Sequence, residues 1–495
     1  MFKKVLIANR GEIAVRIIRT CREMGVRTVT VFSEADRTAL HVLEADEAVY
    51  LGPAEPRESY LNIERLLVTA QETGAEAIHP GYGFLAENPD LAEACHRAGL
   101  VFIGPPAQAI RDLGSKTTAR NIMARAGVPV IPGLQQTSED LQVFAREAER
   151  LGYPVLIKAA AGGGGKGMRI VSQAEELAEA FQSCKSEAEK AFGDGSLYLE
   201  KHLEKPRHVE FQILADSFGN VVHLFERECS IQRRHQKIIE ETPSPALKPH
   251  LRVQMGQAAV AAARAAGYVN AGTVEFLLDR SGDFYFLEVN TRLQVEHPIT
   301  EVTTGLDLVR QQLEIAAGQA LSFGPEEIRP RGHAFECRIY AEDPEARFFP
   351  APGRILYFRE PAGPGIRLDS GIRAGFEVPM EYDPILGKLI VLAENREAAR
   401  QRMIRALENT VILGIKTTIP FLLDVFKNEE FRAGNTSTDF IDRHFEGWRP
   451  ARGKADLARI AFAAAERFQG LSTDKEQPLV PTRVSPWQTL GEWRL

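Results

Sequence analysis

Polar and apolar side chains alternate from Glu288 to Glu296, where the chain reads Glu-Val-Asn-Thr-Arg-Leu-Gln-Val-Glu. An extended backbone would send Glu288, Asn290, Arg292, Gln294 and Glu296 to one side and leave Val289, Leu293 and Val295 to pack behind. That side would set carboxylates, amides and a guanidinium within about 27 Å, at ~3.3 Å per residue. An edge strand with charged outward positions carries the same pattern, so the neighbouring segments decide its meaning. Upstream, Gly272–Leu278 and Phe284–Val289 are β-rich runs separated by Asp279-Arg280-Ser281-Gly282-Asp283, which predicts a hairpin. If the loop is Arg280–Asp283, Glu275 lies directly opposite Glu288; one more loop residue would put them on opposite faces. Facing carboxylates destabilise a sheet unless a cation lies between them. The hard oxygens of Glu275, Glu288 and Asn290 suit Mg²⁺.

The same patterning organises the rest of the chain. Lys4–Ala8, Glu12–Met24 and Thr28–Phe32 read as strand, helix, strand, and the acidic Glu34 and Asp36 follow as in a nucleotide-binding βαβ unit. Asn9-Arg10-Gly11-Glu12 fills the turn in place of the fingerprint glycines, which argues against NAD. Alternation continues to Val101–Pro106, a strand ended by turn residues and a domain boundary, with Lys116 just beyond it. An apolar strand, Pro154–Ala159, runs into Gly162-Gly163-Gly164-Gly165-Lys166-Gly167 and then into Met168–Val171. Such glycines let backbone N–H groups wrap phosphate oxygens while lysines supply charge. A β-type segment follows where the dinucleotide fingerprint needs a helix, and Met168 stands where a P-loop needs lysine. The expectation is a glycine-rich hairpin over phosphates, because a plain flexible linker is not framed by apolar strands. Ser322–Gly332 reads as a linker, and Phe335–Tyr340 opens a strand-rich region that runs to Leu392. Ala455–Phe468 has the pattern of an amphipathic helix.

Composition narrows the class. At about 150 residues per domain, 495 residues suggest roughly three domains, and a hydrophobic share of 44% supports real cores. The balance of 67 acidic against 60 basic side chains, a net charge of -7, argues against nucleic acid as the main partner. Cys21, Cys95, Cys184, Cys229 and Cys337 are scattered and never spaced as Cys-x-x-Cys, so neither a disulfide framework nor a zinc site is expected. No apolar run reaches the ~18 residues of a membrane span, and Lys3, Lys4, Arg10 and Glu12 interrupt any signal-peptide core. The cytoplasm is the expected compartment, with no membrane partner.

Six stretches occur in a telling order: Ile7–Ala14, His79–Asn88, the Lys158 strand with its glycine run, Arg207–Glu210, Arg227-Glu228-Cys229-Ser230 through Lys237, and Glu288–Pro298. Together, over roughly the first 445 residues, they resemble the biotin carboxylase family of the ATP-grasp superfamily. The resemblance implies an α/β and α+β multidomain fold. Its parts would be an N-terminal α/β (pre-ATP-grasp) domain at 1–114, an ATP-grasp domain at 115–329 with a mobile lid at about 132–203, and a strand-rich C-terminal domain at 330–447. The extension 448–495 is similar to the segment that follows the carboxylase region in multidomain acyl-CoA carboxylase subunits. Trp487 and Trp493 suggest a docking tail there, as readily as packing on its own domain.

The implied reaction is ATP- and bicarbonate-dependent carboxylation of biotin at its ureido N1 through carboxyphosphate, the first half-reaction of a biotin-dependent carboxylase. By resemblance, Lys116, Lys158, Gly164, Gly165 and His208 would hold the nucleotide and its phosphates. Glu200, Lys201, His202 and Leu203 would lie at the adenine, and His235 near the ribose or phosphate end. Glu275, Glu288 and Asn290 would bind two Mg²⁺ ions, or Mn²⁺. Lys237 would stand beside bicarbonate and the transferring phosphate, Arg292 would grip bicarbonate bidentately, and Gln294 and the Val295 backbone would complete that pocket. Glu296 is the candidate general base, and Arg338 would stabilise enolate-like charge on the biotin oxygen, with Tyr82 and Gly83 walling the biotin pocket. Ala161 and Lys166 depart from positions that are often glycine and arginine in the family. Arg16, Arg19 and Glu23 match its dimer contacts, which implies a homodimer.

No Met-Lys-Met motif occurs, so biotin is expected on a separate biotin carboxyl carrier protein, and a carboxyltransferase subunit is the further partner expected. The final acceptor stays open among acetyl-CoA, propionyl-CoA, other acyl-CoA, pyruvate and 2-oxoglutarate. Another ATP-grasp carboxylate ligase acting through an acyl phosphate would leave the Arg292–Glu296 set and Arg338 unexplained. A non-catalytic nucleotide-binding assembly subunit would not need every charged motif position.

Overall fold

A computed structural model of the chain describes residues 1–134, 136–159 and 167–450. The glycine run with Gly164 and Gly165, the departures at Ala161 and Lys166, the helix expected at Ala455–Phe468 and the tryptophan tail lie outside the described residues.

Among those residues, Lys4–Ile7 (β1), Arg27–Ser33 (β2), Glu47–Gly52 (β3), Ala77–His79 (β4) and Val101–Phe102 (β5) form a parallel sheet in the order β3-β2-β1-β4-β5. β1 is buried along its whole length, as a parallel strand covered on both faces must be. Asp36, the acidic residue after β2, is consumed internally: it accepts from Arg10 Nε and Nη2, both at 2.7 Å, and from the Tyr60 hydroxyl at 2.7 Å. It therefore anchors the Asn9–Gly11 turn.

Val155–Ala159 (β6), Met168–Val171 (β7) and Leu197–Lys201 (β8) make a separate antiparallel sheet in the order β7-β6-β8. Its apolar face packs under the helices Leu141–Leu151 and Leu177–Phe192, with Phe144 and Phe181 edge to face at 4.9 Å.

The third sheet carries most of the candidate site residues. Its strands are Arg207–Ala215 (β9), Val221–Arg233 (β10), Gln236–Thr242 (β11), Asn270–Leu278 (β12), Phe284–Asn290 (β13), His333–Tyr340 (β14), Ile385–Ala393 and Ile366–Ser370. They run antiparallel in the order β13-β12-β9-β10-β11-β14, then Ile385–Ala393 and Ile366–Ser370. β14 bonds directly to β11, so one sheet continues across the linker expected at Ser322–Gly332.

Two local expectations need correction. The hairpin loop is Asp279–Asp283, since Leu278 pairs with Phe284; on its own it would set Glu275 and Glu288 on opposite faces. A β-bulge at Leu287 takes up the extra residue and restores Glu275 opposite Glu288. Nor does the strand continue to Glu296. It ends at Asn290, and the helix His297–Thr304 begins directly after Glu296, with Pro298 in its first turn. Glu87 pulls the chain out of the ladder by accepting from the Thr291 N–H at 3.0 Å, and Lys388 holds the Val295 carbonyl at 2.9 Å. The polar side chains still converge, through a turn and not through strand periodicity.

Candidate active site

Strand register brings Arg227 of β10, Glu210 of β9, Glu275 of β12 and Glu288 of β13 into one cross-strand row. Glu210 and Glu275 are buried and Glu288 is exposed at the end of the row; the neighbouring carboxylates would repel strongly, and two cations offset this from either side. Arg227, fully buried, donates to Glu210 at 2.6 Å, Gln212 at 2.7 Å, and Thr273 and Thr300 at 3.0 Å. Lys237 of β11 donates to Glu210 at 2.5 Å, Glu275 at 2.6 Å and Glu296 at 2.8 Å. Burial alone would lower the Lys237 pKa, but Glu210, Glu275 and Glu296 hold it well above the usual lysine value. Burial likewise opposes ionisation of Glu275, which Lys237 and His208 nonetheless keep well below the usual carboxylate range. Glu288, exposed at the edge of the row, moves the other way, pushed up first by the Glu275 charge.

Around this row the turn residues close in. Asn290 Nδ2 and Gln294 Nε2 donate to Glu275 Oε1 at 2.7 and 3.0 Å, and His208 Nε2 stands 2.8 Å from Glu275 Oε2. Arg292 donates to Glu87 at 2.9 Å and to Asn290 Oδ1 at 3.1 Å. Glu296, buried, bridges two cations: its Oε1 faces Lys237 and its Oε2 accepts from Arg338 Nη2 at 3.0 Å. Burial would raise its pKa, but Lys237, Arg338 and Arg227 together hold it far below the usual carboxylate range. Arg338 also donates through Nε to Glu240 at 2.7 Å.

The residues expected at the nucleotide come from other elements. Lys158 on β6 pairs with Glu200 on β8. Lys116 opens the helix Lys116–Arg125, and its pKa is lowered by burial and then by the Lys158 charge. Lys201 donates to the carbonyls of Gly152 and Tyr153, and the His202 N–H to that of Pro154 at 3.2 Å; Leu203 follows, half-buried. His235 sits on the exposed turn between β10 and β11, at φ +65°. Tyr82 has its carbonyl held by Asn9 Nδ2 at 2.8 Å and its ring 5.6 Å from the Lys388 ammonium, while Gly83 adopts φ +71°. Arg16 is committed within the chain, to Glu301 at 2.7 Å and Asp307 at 2.9 Å, whereas Arg19 and Glu23 are exposed.

Five positioning residues escaped the sequence analysis. Glu210, Glu87 and Arg227 lie inside the quoted motifs, where alternation with His208 or proximity to Tyr82 was the available signal. Glu240 lies in the charged run Arg227–Glu241, which resembles the family's active-site strand and loop but gave it no role, and Lys388 carried no signal; the contacts of both depend on pairing between distant strands.

The donor set suits a divalent cation. Glu275 and Glu288 face each other with like charge, a hard-oxygen pair matched to Mg²⁺; the Asn290 amide turns its Nδ2 to Glu275 and its Oδ1 to Arg292, and reversing the amide would add its oxygen to the set. The acidic and imidazole groups of His208, Glu210 and Glu275 also lie close enough to share an ion, but Lys237 and Arg227 already neutralise Glu210 there.

The chain resembles known proteins along most of its length. Sequence models of the biotin carboxylase N-terminal domain, the carbamoyl-phosphate synthase L chain ATP-binding domain and the biotin carboxylase C-terminal domain match residues 1–110, 115–323 and 336–443. A pyruvate carboxylase subunit of Methanothermobacter thermautotrophicus is 56% identical over 447 residues, 90% of this chain and 91% of that protein. Biotin carboxylase of Nostoc sp. is 53% identical over 440 residues, 89% of this chain and 98% of its own. Among solved structures, the biotin carboxylase domain dimer of Hydrogenobacter thermophilus 2-oxoglutarate carboxylase, in complex with MgADP, ADP and bicarbonate, superposes with a TM-score of 0.86 at 49% identity, covering 91% of this chain and 100% of that one. With the same three segments in the same order and a shared fold across nine-tenths of its length, the chain belongs to the biotin carboxylase family.

Proposed function

We propose how the side chains of this ATP-dependent ligase divide the family reaction, the carboxylation of biotin with ATP and bicarbonate. The observation that carries the reading is a single ammonium, Lys237, shared by Glu210, Glu275 and Glu296, with Glu296 reaching on to Arg338. That arrangement suits phosphoryl transfer and proton transfer carried out side by side.

Glu275 and Glu288, with Asn290 once its amide is reversed, would hold Mg²⁺, which when bound would supply charge neutralisation at the phosphates. Lys116, Lys158 and His208 bind the phosphates, and Glu200–Leu203 frame the adenine beside the β6–β8 sheet. Arg292, with Gln294 and the Val295 backbone, receives bicarbonate on the turn after β13, and Lys237 accompanies the bicarbonate oxygen that attacks the γ-phosphate. Glu296 takes the bicarbonate proton. In the free protein Lys237 and Arg338 keep it strongly ionised; drawing Lys237 toward the transferring phosphate loosens the first of these holds and raises its proton affinity. Arg338, held by Glu240, meets the biotin ureido oxygen, with Tyr82 and Gly83 on the facing wall.

Biotin arrives on a carrier protein and leaves toward a carboxyltransferase, a reading supported by the relatives' names as subunits and domains of larger carboxylases. A homodimer is supported by the exposed Arg19 and Glu23 and by the dimeric Hydrogenobacter domain. No helix among the described residues is long and apolar enough to cross a membrane, and a cytoplasmic setting is proposed with it. The reading is tested by incubating the purified chain with ATP, Mg²⁺, labelled bicarbonate and free biotin. Label in carboxybiotin is expected, and ATP cleavage that ignores biotin and leaves it unlabelled would favour another acyl-phosphate ligase.

A further inference from the structure

Behind Arg338 lies a buried acidic pair, of which the mechanism above uses only the contact of Glu240 with Arg338. Glu240 on β11 and Glu336 on β14 are directly paired across the strands, and both are completely buried. Facing residues in such a ladder have Cβ atoms about 4.5–5.5 Å apart, within reach of a carboxyl-to-carboxyl contact. Glu240 spends one oxygen on Arg338 Nε at 2.7 Å; its Oε2 and both oxygens of Glu336 have no protein donor. Three buried acceptor oxygens without a donor are costly, and two facing buried charges cost more. One proton on the pair relieves both, by turning one acceptor into a donor aimed at the other.

We propose that Glu240 and Glu336 share a single proton and that this one-proton pair positions Arg338 for biotin: ionised Glu240 holds the guanidinium through Nε, and neutral Glu336 donates its O–H to Glu240 Oε2. The inference rests on the assignment of Arg338 to biotin. The surroundings agree with it. Facing the pair are Arg338 and Lys388 from neighbouring strands, Lys237 from β11 and Glu296 from the turn before His297–Thr304, while Glu12 and His297 face Lys388 from the helices packed on the sheet. Burial pushes Glu240 up to about 7, against the pull of Arg338, and pushes Glu336 well above the carboxylate range despite Lys388. Glu336 therefore keeps the proton. As pH rises and it is lost, two facing charges compete for Arg338 and the hold on its orientation weakens.

The test compares Glu336→Ala, Glu336→Gln and Arg338→Ala in the full chain. It measures carboxybiotin formation from free biotin, bicarbonate-dependent ATP cleavage without biotin, ATP affinity by titration calorimetry, and the pH profile through the alkaline range. Glu336→Ala should lose about 10- to 100-fold in carboxybiotin formation, as removal of a positioning partner does, with a much smaller loss in ATP cleavage. Glu336→Gln has the shape of the neutral acid and a permanent N–H donor. It should recover most of that loss and lack the alkaline fall that belongs to the pair. A Glu336→Gln protein as impaired as Glu336→Ala, or one with the wild-type alkaline fall, overturns the proposal; if Glu336→Ala does not fold, the pH profile of Glu336→Gln decides alone. Arg338→Ala tests the underlying assignment separately: equal loss of ATP cleavage and carboxylation there would remove Arg338 from biotin, whatever Glu336→Gln does.

Discussion

At the scale of single residues, Glu296 is a carboxylate with two cationic neighbours, each of which keeps another partner when it is removed. Lys237 retains Glu210 and Glu275, and Arg338 retains Glu240. Glu296→Ala should therefore bind ATP nearly as the parent does and lose carboxylation by about 10²- to 10⁴-fold, the range for a general base acting in the transition state. Calorimetric titration with ATP, paired with label incorporation into biotin, measures both; a variant that carboxylates at the parent rate, or cannot bind ATP, removes Glu296 from this role. Glu288 makes the opposite case. Its charge is opposed by Glu275, so Glu288→Gln relieves repulsion in the metal-free protein and its thermal midpoint should not fall. Mg²⁺-dependent ATP cleavage should nevertheless drop more than about 100-fold, because several kcal/mol of charge neutralisation go with the ligand. Parent-like cleavage at limiting Mg²⁺ would show that the carboxylates hold no metal. Glu296, Lys237, Arg338, Glu275 and Glu288 were legible in the sequence, because charged types in family order leave few alternatives; Glu210 lay inside a quoted motif without a role. Glu240 and Lys388 were not, since a lone buried charge on a strand has no signature until its cross-strand partner is known.

At the scale of elements, the strands were legible from alternation and apolar runs, and their ends were not. Five loop residues should have turned Glu288 away from Glu275, and the Leu287 bulge that corrects this has no marker, since neither glycine nor a charge stands there. The polar face that alternation predicted through Glu296 is in fact half strand and half turn, because the Thr291 N–H donates to Glu87 and Lys388 donates to the Val295 carbonyl in place of a continued ladder. What the register adds is the row of Arg227 with the carboxylates of Glu210, Glu275 and Glu288, which makes the sheet depend on its buried cations. Arg227→Leu should destabilise the protein by about 3–5 kcal/mol by leaving Glu210 short of a partner, and the double variant Arg227→Leu/Glu210→Leu should regain much of that loss. Urea unfolding of the two variants reads this directly. A double variant no more stable than the single would mean that Arg227 acts through Gln212, Thr273 and Thr300, and not through charge.

At the scale of the molecule, the segments that match the ATP-binding and C-terminal sequence models share one sheet, and this joint has consequences for stability. β11 and β14 pair from Ile239 with Cys337 to Thr242 with Ala334, and side chains fasten the same seam: His333 stands 2.8 Å from Glu241, and Arg396 donates to Glu241 at 2.7 Å. Phe335, buried on β14, packs edge to face on Phe426 at 5.3 Å and against Phe431 at 5.8 Å, so the C-terminal core is tied to the strand that completes the ATP-side sheet. The β6–β8 sheet has a core of its own around Phe144 and Phe181. Cooperative units follow contiguous cores, so the large sheet should open as one unit and the small sheet at a lower free energy. Phe335→Ala should cost about 3–5 kcal/mol. Because the sheet is continuous, that cost should appear as equally faster hydrogen exchange in β9, β10 and β11 as in β14 and Ile385–Ala393, while exchange in β6 and β8 stays near the parent rate. Faster exchange confined to the C-terminal strands would show that the seam between β11 and β14 transmits no cooperativity, and that the chain folds as the separate domains its sequence segments suggest.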